Sequence, residues 1–145
     1  MPAETYIAKT IENAPDAIAC HVRWKITLLL AARIHEPLSE RAMRAIHYPE
    51  ECSIGKWLLS EHTLHLRGRP EYLAVVEQHS AFHGQMLAIA NLINDGEYDH
   101  AERLLNAAEP FQNASTALAN AIMALDRIPD GKPVARIHEA LHKTA

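Results

Sequence analysis

The sequence predicts an all-α fold: an antiparallel four-helix bundle with a short extra helix in the middle and a C-terminal tail helix. Three observations lead there. Aromatic residues make up only 6% of the chain while Ala and Leu are abundant, which favours helix over sheet. Apolar residues recur at steps of three and four over long stretches, the period of one helix face. Proline and glycine punctuation falls between those stretches, at Pro15, Pro37, Pro49, Gly68-Arg69-Pro70, Asn94-Asp95-Gly96 and Pro129-Asp130-Gly131-Lys132-Pro133.

The first helix is expected from about Pro15 to His35. Proline suits the first helical position, Asn13 can cap the turn before it, and Pro37 ends the run. Its apolar stripe reads Ile18, His21, Trp24, Leu28, Ala31. The stretch from Leu38 to Arg69 is less regular. It should hold a short helix over about Leu38 to Ile46 and another from about Cys52 to Ser60. The third long segment runs from about Pro70 to Ile93, with the stripe Tyr72, Val75/Val76, His79, Phe82/His83, Met86, Ile89/Ala90, Ile93. Asn94-Asp95-Gly96 stops it. The last runs from about Glu97 to Ile128, with the stripe Leu104, Ala108, Phe111, Ser115, Leu118, Ile122, Leu125. Pro110 lies inside it and should kink or split it. Short loops between such helices suggest antiparallel neighbours in a bundle. Residues 1–128 are expected to form this domain, and 129–145 a linker and a tail helix over Val134 to Lys143.

Composition excludes several classes of function. A chain of 145 residues is one domain and can build a core without disulfides. A formal charge of −4 and a pI near 6.2 argue against nucleic-acid binding. No apolar run approaches the ~20 residues a bilayer span needs, so no membrane partner is expected. Met1 to Asn13 lacks the apolar core of a signal peptide. A cytoplasmic protein is expected, with its two cysteines reduced or metal-bound. The common phosphate-binding glycine loops are absent.

Ten histidines are the chemical prompt. His79 and His83 lie four residues apart on one helical stripe, so their rings share a face about one turn apart. They can bind one metal ion, or they can be buried rings that hydrogen-bond to neighbours. His21 lies on the core stripe of another helix and carries the same two readings. Cys52 opens Cys52-Ser53-Ile54-Gly55-Lys56-Trp57. At a helix start it feels the positive end of the dipole, which Glu50 and Glu51 oppose. Its alternative is a small buried hydrophobe. Gly55, without a Cβ, would let the Cys52 segment approach a neighbouring helix closely. Three imidazoles and one thiolate would make a closed tetrahedral set for zinc, with no position for a catalytic water. A soft thiolate disfavours magnesium and calcium.

The order His21-x-x-Trp24, Cys52-x-Ile54-Gly55-x-Trp57, His79-x-x-x-His83 resembles the chemoreceptor zinc-binding (CZB) domain family. The resemblance covers roughly residues 15–128, and its specificity lies in the combination. It implies a zinc-binding four-helix bundle, often a homodimer, that regulates a bacterial signalling output in chemoreceptors or diguanylate cyclases. By matching positions, His21, Cys52, His79 and His83 would be the zinc ligands. No output module accompanies them, so the expectation is either a stand-alone member acting in trans, which Met1 slightly favours, or a fragment of a longer protein. Cys20 lies ~100° round the helix from His21 and should pack between helices.

The function expected is therefore a zinc sensor and not an enzyme, with zinc occupancy or Cys52 oxidation altering the packing seen by a partner. A haemerythrin-like di-iron bundle is the alternative. It needs inward carboxylates, which the stripes lack at matching positions. His138-Glu139-Ala140-Leu141-His142 matches H-E-x-x-H, a zinc hydrolase signature. Such a site needs a third ligand, usually further along, and only Lys143, Thr144 and Ala145 follow here, so a solvated tail helix is the expectation. His35, His47, His62, His65 and His100 are read as ordinary surface or packing residues.

Overall fold

The structure is a computed structural model that describes residues 10–107 and 109–129. Those residues form helices and turns, with no strand among them. The all-α class is what the three-four spacing predicts. The tail helix, and with it His138, Glu139 and His142, lies outside the described residues.

Helix α1 spans Ala14–Ile34. Asn13 caps it: its side-chain oxygen accepts from the Asp16 N–H at 2.9 Å. Pro15 sits in the first turn, where a missing N–H costs nothing. The helix ends before Pro37 because His35 turns left-handed (φ 58°) and closes the last turn. Helix α2 spans Glu40–His47 and is capped by the Ser39 hydroxyl, which accepts from Ala42 N–H. A 3₁₀ turn, Pro49–Glu51, leads into helix α3, Ser53–Leu58. A second 3₁₀ segment, Glu61–Leu66, follows where the sequence offered no regular element. It is held by tertiary bonds: the buried Thr63 hydroxyl donates to the Trp57 and Leu58 carbonyls. The Tyr72 hydroxyl also donates to Leu58.

Helix α4, Pro70–Asn94, carries the longest buried stripe. Tyr72, Val75, His79, Phe82, His83, Met86, Ile89, Ala90 and Ile93 face inward, whereas Val76 is turned out. The expected last helix is two, α5 (Tyr98–Ala107) and α6 (Glu109–Asp126). Pro110 explains the break. It lacks an N–H and fits only the first turn of a helix, so a new helix starts around it. Phe111, Ser115, Leu118, Ile122 and Leu125 line the buried face of α6.

Helices α1, α4, α5 and α6 each touch the other three, while α2 and α3 pack on α4 and α3 also meets α1. The side chains between them form one core, with Leu28, Phe82, Met86, Phe111, Leu118 and Ile122 fully buried. Burying such large apolar side chains contributes roughly 1.5–3 kcal/mol each. The helices therefore have a scaffold independent of any ion. Among the described residues no helix is long and apolar enough to cross a membrane.

Candidate metal centre

Two elements bring three donors to one buried point. Cys52 caps α3, and His79 and His83 stand one turn apart on α4. Their donor atoms all lie within 4.8 Å of one another, and all three residues are buried. Cys52 Sγ is 3.3 Å from His79 Nε2. Tetrahedral zinc with ordinary Zn–S and Zn–N bonds would set that edge at roughly 3.5 Å.

The groups around the donors orient them. His83 Nδ1 donates to the Ile46 carbonyl at 2.9 Å, which leaves a lone pair on Nε2. That Nε2 is buried without a hydrogen-bond partner. An orphaned buried acceptor beside a thiol is what a bound cation would satisfy. The Cys52 sulfur receives backbone N–H groups of Gly55 and Ile54 and the Trp24 indole. The Trp24 side chain also lies edge-on to His83, with ring centroids 6.5 Å apart. His79 and His83 stand edge to face at 4.4 Å.

Gly55 makes the cysteine turn possible. A Cβ there would lie 2.0 Å from the Pro49 carbonyl oxygen and 2.8 Å from Glu50 Cα. The close approach is therefore to the chain's own 3₁₀ turn, whereas the sequence suggested a neighbouring helix. The turn folds back over α3 and sets Cys52 at 0% exposure.

His21 is placed differently. It is buried in the same core, at 3% exposure, with its ring edge-on to Phe82 at 4.7 Å. Its Nε2 is 2.9 Å from the Ser115 hydroxyl, and its Nδ1 is buried without a partner. It stands close enough for its charge to depress the His79 pKa, yet it is outside the three-donor group. Cys20 is buried on the inner face of α1. Sequence reasoning did not find the roles of Ser115, Trp24 or the Ile46 carbonyl. A lone serine in the apolar stripe of α6 was the one available signal.

Burial sets the protonation of the donors. It lowers the imidazoles from the ordinary 6.5, His21 and His83 to about 4 and His79 to about 2. Repulsion from His83 and His21 adds to the His79 shift, and Lys25 adds to that of His21. Burial also raises the Cys52 thiol from 9.0 to about 11, against the pull of its N–H donors and Lys56. Burial thus outweighs the helix start that would favour thiolate. Neutral imidazoles are ready to ligate, and a divalent cation would displace the thiol proton.

These shifts give the metal-free protein a stability optimum. Above pH 6.5 the three rings are neutral whether the chain is folded or not. Below it the unfolded chain takes up protons that the fold resists, so stability falls as pH drops from 6.5 toward 4. Above pH 9.0 the unfolded thiol ionises while the folded one does not, so stability falls again toward about 11. Urea midpoints of the metal-free protein should be flat between these limits and decline on both sides. A midpoint that rises on acidification would contradict the burial of the rings.

No family model, curated protein or solved structure matches this chain, so its centre is read from its own residues.

Proposed function

We propose that this chain is a zinc-binding regulatory module of bacterial signalling, related to the CZB domains it resembles. The observation that carries the reading is the buried group of Cys52, His79 and His83 with an unpartnered His83 Nε2. His21 is the fourth donor of the proposal, since its Nδ1 is also buried and unpartnered. A thiol with imidazoles favours zinc over magnesium or calcium. The donor group holds no carboxylate, which favours zinc over the di-iron alternative. Bound there, zinc supplies a cross-link between elements and keeps the sulfur as thiolate.

The four-helix reading rests on the mutual contacts of α1, α4, α5 and α6, with the Cys52 segment laid against α1 and α4. Cys52 is the moving part: it caps a six-residue helix, whereas the imidazoles sit on helices of 21 and 25 residues. Release of its sulfur frees the Pro49–Glu51 turn, and the partner reads that change. Metal occupancy is the primary signal, because the sulfur at 0% exposure is shielded from oxidants until the turn opens. The proposal makes the chain a non-enzymatic, cytoplasmic homodimer that acts in trans on a chemoreceptor or diguanylate cyclase.

Metal analysis tests it directly. Purified protein should carry one zinc per chain, and Cys52→Ala should lose it while staying helical by circular dichroism. Protein that takes up no zinc at any stoichiometry rejects the proposal.

A further inference from the structure

Ser115 interrupts an otherwise apolar stripe on α6, and it is only 3% exposed. Its hydroxyl meets His21 Nε2 at 2.9 Å, and His21 Nδ1 is left buried without a partner. His83 shows the same arrangement with its nitrogens exchanged. There Nδ1 is tied to the Ile46 carbonyl and Nε2 is the orphan. A carbonyl only accepts, so His83 carries its proton on Nδ1 and its lone pair on Nε2.

A hydroxyl can donate or accept, so two arrangements exist at Ser115. If it donated to Nε2, His21 would carry a proton on Nδ1, buried with no acceptor. If it accepts from Nε2–H, Nδ1 carries a bare lone pair, and the serine proton can turn to a carbonyl of the preceding helical turn. Only the second leaves no orphaned donor, and its remaining lone pair is one a cation would satisfy.

We propose that Ser115 is the positioning residue for the fourth donor, holding His21 by Nε2 and presenting Nδ1 as the ligating atom. The centre would then take His21 by one edge of the imidazole and His79 and His83 by the other. This rests on the metal-binding reading above. His21 lies outside the 4.8 Å group, so its ring turns in about the Ser115 bond when the ion binds, with Phe82 as the wall behind it. Holding the outer nitrogen of a ligating histidine fixes its tautomer and orientation, and loss of such partners weakens affinity about 10–100-fold.

The experiment compares wild type, Ser115→Ala and Ser115→Thr by competition with a zinc chelator. It adds nitrogen NMR of histidine-labelled protein loaded with cadmium-113. Alanine suits a helix interior, so Ser115→Ala should keep native helicity. It should bind zinc about 10–100-fold more weakly, and Ser115→Thr, which keeps the hydroxyl, should recover most of the loss. Cadmium coupling should appear on Nδ1 of His21 and on Nε2 of His79 and His83. Unchanged or tighter zinc binding by Ser115→Ala, or coupling on His21 Nε2, overturns the role of Ser115 alone. Wild type that binds neither ion overturns this inference together with the metal reading. The cadmium spectrum of wild type decides the ligating atom whatever Ser115→Ala does to folding.

Discussion

Zinc added to the metal-free protein is expected to raise its melting temperature by roughly 8–16 °C. An ion that binds only the folded chain, at free concentration about 1,000 times its Kd, stabilises by about 4 kcal/mol. For a domain of this size each kcal/mol shifts the midpoint by about 2–4 °C. The premise of folded-state binding is structural. Cys52 and His79 are separated by 27 residues in the chain and brought to 3.3 Å only by docking of α3 on α4. The unfolded chain keeps only weak binding by separate residues. Differential scanning calorimetry with and without zinc gives the shift directly. Cys52→Ala should retain the helical melt and lose most of the zinc response. An equal shift in that variant would move the binding elsewhere, with the H-E-x-x-H segment at His138 the first place to look.

Gly55→Ala should destabilise the protein by about 2–4 kcal/mol, the cost of forcing an atom into a space already filled by backbone. The new Cβ would lie 2.0 Å from the Pro49 oxygen. That oxygen also accepts the Cys52 N–H at 3.2 Å, so it cannot yield without giving up that bond. In an open helix the same change would stabilise, because alanine is the better helix former. Gly84 on α4 provides that contrast, since a Cβ there meets nothing within 4 Å. Gly84→Ala should therefore gain roughly 0.5–1 kcal/mol. The two urea midpoints should move in opposite directions, and Gly55→Ala should also weaken zinc binding by displacing Cys52. A neutral Gly55→Ala would mean that the turn does not pack as described.

The long helices were legible because each writes its own period. The stripe from Tyr72 to Ile93 and the cap at Asn13 need only local sequence. The break near residue 108 was half legible: Pro110 announced a disruption, and the structure makes it a separate helix. The segment over Glu61–Leu66 was not legible, because Thr63 holds it through carbonyls of another element. The same division applies at the centre. His79 and His83 declare themselves by a four-residue step, and Cys52 by its place in a motif. Ser115 on His21, the Ile46 carbonyl on His83 and the Trp24 indole on Cys52 are tertiary pairings with no spacing to betray them. The outward faces tell the same story. Val22, Ile26, Leu30 and Ile34 recur every fourth residue on α1 yet are 44–57% exposed. The three-four stripe through His21, Trp24, Leu28 and Ala31 nonetheless picked out the buried row.

The bonds from Thr63 and Tyr72 to the last turn of α3 have a mechanical consequence. They fix Leu58 as a pivot, with α3 as a lever whose far end is Cys52. Six residues make an arm of roughly 9 Å. A tilt of about 10° at the pivot would carry the sulfur by roughly 1.5 Å over that length. Metal bonds hold their lengths to about 0.2 Å, so a motion this small is enough to break one. The tip of the lever continues into Pro49–Glu51, where Glu51 grips Arg44 of α2 at 2.9 Å. A displacement too slight to disturb the core would thus reach the surface as the letting go of one ion pair.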